Sequence, residues 1–168
     1  MEIKTILITQ ARKGSTRLPE KILKKFQGKE LLRIHLERLE KCKAIDKIIV
    51  ATTTEAQDEE IVSMVNKWGF DSFRGSENNV LDRYYKAITD SNYKPIWIVR
   101  ITSDNPLIDP KLIDQVVDFA QHNNVDYVSN CFEDQYPDGQ DVEVFKFSAL
   151  KKAWKEAHLN SELEHVTP

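Results

Sequence analysis

The stretch IKTILIT at residues 3–9 is apolar at almost every position and leads directly into the charged segment QARKGSTRLPEK at residues 10–21. Similar apolar runs recur as DKIIVATT at 46–53 and PIWIVRIT at 95–102. Continuous β-branched runs are typical of strands that are covered on both faces, as the strands of a parallel sheet are. These runs therefore predict the centre of a parallel sheet.

Segments with a helical period lie between the predicted strands. Apolar residues recur every three or four positions in 31–39, 61–68 and 80–88, as they do on the buried face of a helix. Strands that alternate with helices form right-handed βαβ units. The sequence therefore predicts an α/β fold with a mostly parallel sheet, formed by residues 1–168 as a single domain.

The second half of the chain carries further signals of secondary structure. Asp109 and Pro110 are typical of the N-cap and first residue of a helix, which we expect to continue to about His122. VDYVSN at 125–130 and DVEVFKF at 141–147 predict two more strands. These strands would extend the sheet beyond its centre.

The end of the chain predicts two helices. Apolar residues from Leu150 to Ala157 indicate the first, with Ser148 as its N-cap. SELE at 161–164 has the pattern of a capping box, which predicts the start of the second. Pro168 follows before two turns are complete, so we expect the natural protein to continue beyond it.

The composition is that of an ordinary globular protein, with 30% charged and 40% hydrophobic residues and a net charge of −3. General nucleic-acid binders usually present an overall basic face, so we expect no nucleic-acid partner. Cys42 and Cys131 match no metal-ligand spacing and are too few for a disulfide framework. No segment has the length of a membrane span or the pattern of a secretion signal. We therefore expect a cytoplasmic protein without a membrane partner.

The segment after the first strand concentrates positive charge. Its charged residues are Arg12, Lys13, Arg17, Lys21 and the opposing acid Glu20. Ligands of parallel α/β sheets bind beyond the carboxyl ends of the strands, where this segment begins at Gln10. Gly14 permits close approach of a ligand, Ser15 and Thr16 offer donors, and the guanidinium groups match phosphate oxygens. The segment predicts a triphosphate-binding loop, but a solvated loop that only maintains solubility fits the spacing equally well.

A candidate metal ligand follows another predicted strand. In RITSDNPLIDP at 100–110, Asp109 is accounted for as a helix cap, whereas Asp104 lies in the loop directly after the strand. Mg²⁺ is commonly held by one or two carboxylates together with substrate phosphates. Asp104 therefore predicts a Mg²⁺ site across the crevice from the cationic segment, with a turn-forming role as the alternative.

Five blocks of the sequence resemble the cytidylyltransferase family of spore-coat polysaccharide biosynthesis proteins. The blocks are QARKGSTRLPEKIL (10–23), GSENNVLDRYYKAI (75–88), RITSDNPLIDP (100–110), PDGQDVEVF (137–145) and SELEHVTP (161–168). The first and third also resemble, more distantly, the CMP-ketodeoxyoctonate and CMP-sialic acid synthetases. The resemblance implies a three-layer α/β/α, Rossmann-like nucleotidyltransferase fold, the fold of nucleotide-diphospho-sugar transferases.

The resemblance also implies roles for individual residues. Arg12 and Lys21 match the catalytic residues that contact the triphosphate, and Asp104 matches the aspartate that holds magnesium. The remaining nucleotide-binding positions of the matching blocks are Gln10, Ala11, Gly14, Ser15, Arg17, Gly75, Ser76, Asp82 and Arg83. The last four correspond to positions near the base, although a surface charge on a helix is an equally good interpretation of Arg83.

The sequence departs from the family pattern in three places. Glu20 replaces a glycine common in the family, which puts an acid beside the loop that either weakens phosphate binding or points to solvent. Ser103 replaces the glycine before the metal-binding aspartate, so we expect a backbone conformation there that does not require glycine. The related synthetases also take a further metal-binding acid from sequence beyond the position of Pro168.

The reaction implied by the resemblance is attack of a sugar or sugar-acid oxygen on the α-phosphorus of CTP, with release of pyrophosphate, in surface polysaccharide biosynthesis. A homodimer is expected because the related synthetases are commonly dimers. Two alternatives stay open: a glycosyltransferase that uses a nucleotide-sugar donor, and a non-catalytic remnant that only binds nucleotide. The first usually carries a D-x-D metal motif, whereas Asp104 lies in the sequence DNP.

Further side chains are candidates for the sugar pocket. Strand alternation places Asp141 and Glu143 on one face, where they would bind sugar hydroxyls or form the solvated side of an edge strand. His165 belongs to a family block, but its position close to the end of the chain favours a frayed residue. His35 lies on the inner stripe of a helix, which predicts a hydrogen-bonded core residue.

Overall fold

A six-stranded sheet forms the centre of the molecule in a computed structural model, which describes residues 3–14, 18–132 and 136–167. Its strands are β1 (Thr5–Gln10), β4 (Lys47–Thr53), β5 (Asp71–Gly75), β6 (Trp97–Thr102), β7 (Tyr127–Ser129) and β8 (Glu143–Lys146), in the order β5-β4-β1-β6-β8-β7. A separate two-stranded ribbon consists of β2 (Lys25–Phe26) and β3 (Lys29–Glu30). The strands β5, β4, β1 and β6 are parallel, and β8 and β7 are added in antiparallel pairs. The predicted mostly parallel sheet is confirmed.

Helices connect the strands. They are α1 (Leu31–Leu39), α2 (Glu59–Lys67), α3 (Val80–Thr89), α4 (Pro110–Asn123), α5 (Phe147–Glu156) and α6 (Asn160–His165), with short 3₁₀ helices at Lys21–Leu23 and Ala56–Asp58. Within the described residues, no helix combines the length and the apolar character that crossing a bilayer requires.

Both faces of β1 are buried, which explains its uninterrupted apolar sequence. Leu7 packs into one core with side chains of α1, α2 and α4, whereas Ile6 and Ile8 pack into a second core with side chains of α3 and α5. All three residues are fully buried. The sheet therefore lies between two helical layers, and the predicted three-layer α/β/α architecture is confirmed.

The register of the central strands determines where their loops meet. Gln10, the last residue of β1, pairs with Ala51 of β4 on one side and Thr102 of β6 on the other. Because the three strands are parallel, the segments that follow Gln10 and Thr102 leave the sheet at the same edge. This pairing brings the cationic segment and the Asp104 loop together.

Two details of the helix ends differ from the sequence interpretation. Ser148 is not a cap, because α5 already begins at Phe147, whose N–H donates to the carbonyl of Ile96 over 2.8 Å. The helix α6 begins at Asn160 rather than with Ser161, and Glu162 accepts backbone N–H bonds from the residues that precede the helix. By contrast, Asp109 caps α4 as predicted and accepts from the N–H of Lys111 over 3.0 Å.

Candidate active site

A cavity of about 850 Å³ opens at the carboxyl ends of β1 and β6. It is bounded by the start of the cationic segment, the loop after β6, the beginning of α3 and the helix α6. The residues that line the cavity include Gln10, Ala11, Arg12, Lys21, Glu77, Arg83, Arg100, Asp104, Asn160, Glu164 and His165. Cavities of this size commonly bind small-molecule substrates.

Two cations of the first loop face this cavity, and each contacts an acid from a different part of the chain. Lys21 Nζ lies 2.8 Å from Asp104 Oδ2, and Arg12 Nη1 lies 3.1 Å from Glu77 Oε1. The two loops that the sequence predicted to meet are therefore in direct contact. Glu77 was not among the predicted site residues, because nothing in its sequence context distinguishes it from a surface acid.

Lys13 takes a different part in the loop. Its Nζ lies 2.8 Å from Glu20 and 2.7 Å from Glu60, and its backbone N–H donates to Asp58 over 2.8 Å. The hydrogen bonds that Lys13 donates to Glu20 and Glu60 raise the pKa of Lys13 above its ordinary value. Lys13 therefore holds the loop together rather than facing the cavity.

Asp104 is the acid that the sequence assigned to a metal. Partial burial alone would raise the pKa of Asp104, but hydrogen bonds from Lys21 and Thr102 outweigh burial and lower the pKa below its usual value. The carboxylate is therefore held in its charged form. A charged carboxylate that faces a cavity is suited to bind a divalent cation.

His35 supports the loop that carries Asp104. Its side chain is fully buried, and its two ring nitrogens lie 3.0 Å from Thr9 Oγ1 and 3.1 Å from the carbonyl oxygen of Asn105. The prediction of a hydrogen-bonded core histidine is confirmed. Burial lowers the pKa of His35 to about 4, despite the opposing effects of its contact with Asn105 and the charge of Asp104.

Two arginines line the cavity, one buried and one partly buried. Arg83 is 3% exposed, so the interpretation as a surface charge is wrong. Its Nη1 donates to the carbonyl of Ser76 over 3.1 Å. Arg100 forms an ion pair with Glu143. The Nε atoms of both arginines and Oε1 of Gln10 are buried without a hydrogen-bond partner. Polar atoms that are buried without a partner are costly.

Gly75 and Ser76 shape the surroundings of Arg83. A Cβ atom on Gly75 would lie 2.9 Å from Cγ of Arg83, so a larger residue would displace the arginine. Asp82 points to a different contact: it accepts from Trp154 Nε1 over 2.9 Å and pairs with Lys86. Asp82 is not brought into the cavity, because it fixes α3 to α5.

The two acids predicted to bind the sugar differ in burial, and neither lines the cavity. Asp141 is exposed and precedes β8, which begins at the buried Glu143. Glu143 accepts from Arg100, from the hydroxyl of Tyr127 over 2.9 Å and from Thr167. Because β8 lies between β6 and β7, Glu143 is not on the solvated side of an edge strand either. Alternation could not show where the strand starts or that an arginine lies opposite.

The helix α6 forms a wall that the sequence interpretation missed. It packs beside α3 and lines the cavity with Asn160, Leu163, Glu164 and His165. His165 is therefore placed at the cavity and not at a frayed end. The signal in the sequence is the family block SELEHVTP, but its position close to the last residue favours a frayed end.

The remaining predicted positions of the first and third blocks differ in their relation to the cavity. Ala11 lines the cavity, whereas Gly14 lies beside it, with Gln57 and Glu77 as its neighbours. Ser15 and Arg17 lie outside the described residues. Ser103 has no positive φ, in agreement with the expected absence of a glycine-only conformation.

Glu20 occupies a backbone position that favours glycine. Its φ is 53°, in the left-handed region, where a side chain costs about 1 kcal/mol or more. Its carboxylate contacts Lys13 and its side chain is 58% exposed. Glu20 therefore matches neither expectation: its side chain does not point freely to solvent, and it does not face the cavity. Instead, it supports the loop from outside.

The fold is that of the nucleotidyltransferases. The structure of CMP:2-keto-3-deoxy-manno-octonic acid synthetase complexed with CTP superposes with a TM-score of 0.75 at 16% identity, covering 97% of this chain and 83% of that chain. This likeness shows a shared fold. A cytidylyltransferase from Leptospira borgpetersenii superposes with a TM-score of 0.92 at 38% identity, covering 99% of this chain and 70% of the other.

The sequence comparison identifies the family. Residues 6–168 match the family model for cytidylyltransferase, and the chain belongs to the cytidylyltransferase family. The spore coat polysaccharide biosynthesis protein SpsF of Bacillus subtilis is 39% identical over 132 residues, which are 75% of this chain and 54% of that protein. The chain spans between about half and two thirds of the length of the curated relatives it matches.

The left-handed backbone at Glu20 predicts that glycine is more stable than alanine at this position, which is the reverse of the preference in a helix. At an exposed helix position such as Lys152, glycine is about 1 kcal/mol less favourable than alanine. At residue 20 we expect Glu20→Gly to be more stable than Glu20→Ala by about 1 kcal/mol, because both lose the contact with Lys13 but only glycine is unstrained. Urea unfolding of Glu20→Gly, Glu20→Ala, Lys152→Gly and Lys152→Ala measures this difference in stability. Higher stability of the alanine variant at both positions would contradict the prediction.

The buried His35 predicts a loss of stability in weak acid. Below pH 6.5 the unfolded chain binds a proton at this histidine, whereas the folded protein does so only near pH 4. This group's contribution to stability is therefore present above pH 6.5 and is lost as the pH falls toward 4. Between pH 7 and pH 5 we expect a loss of about 2 kcal/mol in unfolding free energy.

The comparison variant for this measurement is His35→Gln, whose amide does not titrate. Its unfolding free energy should lose about 2 kcal/mol less than that of the wild type between the two pH values. Urea denaturation at each pH gives both values. Equal losses in the two proteins would show that His35 does not control the acid response.

Proposed function

We propose that the chain carries the nucleotide-transfer site of a cytidylyltransferase, which transfers CMP from CTP to a sugar or sugar-acid oxygen and releases pyrophosphate. The observation that supports this most directly is the convergence of Arg12, Lys21 and Asp104 on one cavity. Membership in the family and the likeness to a synthetase complexed with CTP favour cytosine as the base.

The proposal includes Mg²⁺ at Asp104. Carboxylate oxygen is a ligand that Mg²⁺ prefers, and the contact with Lys21 shows that Asp104 Oδ2 is accessible to a positive group. Among the described residues, no group of three or more His, Cys, Asp or Glu side chains could hold a metal ion. We therefore expect phosphate oxygens and water to complete the coordination. Bound there, Mg²⁺ would supply positive charge next to the phosphate oxygens.

The side chains of the cavity suit an in-line displacement. The acceptor oxygen would attack the α-phosphorus while the bond to the pyrophosphate oxygen breaks. Arg12 and Lys21 would bind the leaving pyrophosphate and offset its growing charge, and the two loops would hold the reactants in line. The buried Arg83, which lines the cavity, would add positive charge beside the nucleotide. No covalent intermediate with the protein is required.

The acceptor would occupy the side of the cavity formed by α6. Asn160, Glu164 and His165 offer hydrogen-bonding groups there, as sugar hydroxyls require. The name of the Bacillus subtilis relative supports a role in surface polysaccharide biosynthesis. A cytoplasmic location and a homodimer stay predictions of the sequence.

Substitutions at the cavity test the proposed reaction. Asp104→Asn and Arg12→Ala should each lower kcat/KM for pyrophosphate release by about 10³-fold or more, since cationic clamps contribute that much in phosphoryl transfer. Each NTP is assayed with Mg²⁺ and a panel of sugar and sugar-acid acceptors. Asp71→Asn is the control. Asp71 lies away from the cavity and forms an ion pair with Lys47 over 2.8 Å.

The possible outcomes separate the three interpretations. CTP-dependent pyrophosphate release that the two cavity variants lose supports the cytidylyltransferase. CTP binding without release under every acceptor would support the non-catalytic remnant. Transfer of the sugar from a supplied nucleotide-sugar with release of its nucleotide, while the nucleoside triphosphates stay unchanged, would support a glycosyltransferase. Equal losses in Asp71→Asn would indicate a general folding defect.

The ion pair between Lys21 and Asp104 predicts competition with the metal. Removing the lysine with Lys21→Met should raise the affinity for Mn²⁺ alone by about fivefold, because a partly exposed ion pair contributes at most about 1 kcal/mol. The same variant should weaken CTP binding, because it loses a phosphate contact. Mn²⁺ binding is measured by electron paramagnetic resonance, and Lys47→Met is the control. Unchanged or weaker Mn²⁺ binding would contradict a metal site at Asp104.

A further inference from the structure

A buried carboxylate outside the cavity holds the backbone of the cationic loop. Asp58 is 1% exposed and ends the short 3₁₀ helix Ala56–Asp58, which follows β4. Its Oδ1 accepts from the N–H of Lys13 over 2.8 Å, and its Oδ2 accepts from the hydroxyl of Thr53. Neither the sequence motifs nor the proposed chemistry uses this residue.

Burial makes the contact with Lys13 important for both partners. A carboxylate without water is stable only where donors surround it, and charge-assisted hydrogen bonds are stronger than neutral ones. The Asp58 carboxylate accepts from the hydroxyl of Thr53, at the end of β4, and from the N–H of Lys13 in the loop. The loop therefore cannot move away from β4 without leaving a buried charge partly unsatisfied.

The geometry of the peptide bond relates this contact to Arg12. The N–H of Lys13 belongs to the same planar unit as the carbonyl of Arg12, so a hydrogen bond to that N–H fixes the backbone directly after Arg12. The carbonyl of Lys13 accepts from the N–H of Glu20 over 3.2 Å, which ties the other end of the loop. Asp58 thereby fixes the backbone from which the Arg12 side chain extends toward the cavity.

We infer that Asp58 is a positioning residue for nucleotide binding, which holds the Lys13 peptide so that Arg12 faces the phosphates. This inference rests on the proposed function, since it concerns the binding of CTP in the same cavity. Asp58 itself touches no substrate. Its carboxylate acts by holding the loop. For this role, the oxygen that accepts from the Lys13 N–H is more important than the negative charge.

Two variants of Asp58 separate these roles. Asp58→Ala removes the acceptor and should weaken Mg·CTP binding by about tenfold or more, as expected for loss of a positioned phosphate contact. Asp58→Asn keeps an oxygen for Lys13 N–H, while its amide can donate to the hydroxyl of Thr53. We expect its affinity to stay within about threefold of the wild type. Isothermal titration on the intact protein measures both values.

The matched control is Asp114→Ala. Asp114 also accepts backbone N–H bonds, from Lys43 and Ala44 at 2.9 Å each, but it lies on α4 away from the cavity. Its loss should lower the melting temperature as the loss of Asp58 does, while Mg·CTP affinity stays within about twofold of the wild type. A merely structural role of Asp58 would make the two alanine variants behave alike.

Amide exchange gives a second measurement that is independent of nucleotide. The Lys13 amide should exchange more rapidly in Asp58→Ala than in the wild type, and nearly as slowly in Asp58→Asn. Unchanged CTP affinity in Asp58→Ala, or equal losses in both Asp58 variants, would overturn the positioning role alone. A wild-type protein that binds no CTP would overturn this role together with the proposed function.

Discussion

The arrangement of the site depends on the pairing of β1 with β6, which brings Lys21 and Asp104 together. The two residues are 83 positions apart in the chain, and their side chains meet at 2.8 Å. They meet because β1 and β6 are adjacent parallel strands whose last residues, Gln10 and Thr102, are paired. The loop that follows each strand therefore enters the same crevice. One loop brings cations and the other brings an acid, as a site for a metal and a polyphosphate requires.

Charge compensation extends through the whole cavity. Arg12 is matched by Glu77, Lys21 by Asp104 and Arg100 by Glu143. Arg83 is the exception among the described arginines that line the cavity: its side chain donates to a carbonyl oxygen, and burial together with the nearby Arg12 lowers its pKa. A buried cation without an acidic partner favours an anionic ligand, since desolvation is then offset by the ligand.

The sequence predicted the parts of the site that follow directly from strand ends. Arg12 and Asp104 could be found because each lies just after a recognisable strand, and Lys21 because it belongs to the same motif as Arg12. Glu143 was misinterpreted because its partner Arg100 is on another strand, and no local pattern reveals a cross-strand ion pair. Arg83 could not be assigned for a similar reason, since its burial depends on how α3 packs against the sheet.

The sequence by itself determined the alternation of strands and helices, the double-sided burial of β1 and the family, because apolar periodicity and contiguous motifs are local properties of the chain. Only the tertiary structure decided which charges face the cavity. Lys13 and Arg12 are neighbours in sequence, yet one braces the loop against Glu20 and Glu60 while the other lines the site. Such a division depends on acids from distant segments, and their positions exist only once the sheet has brought those segments together.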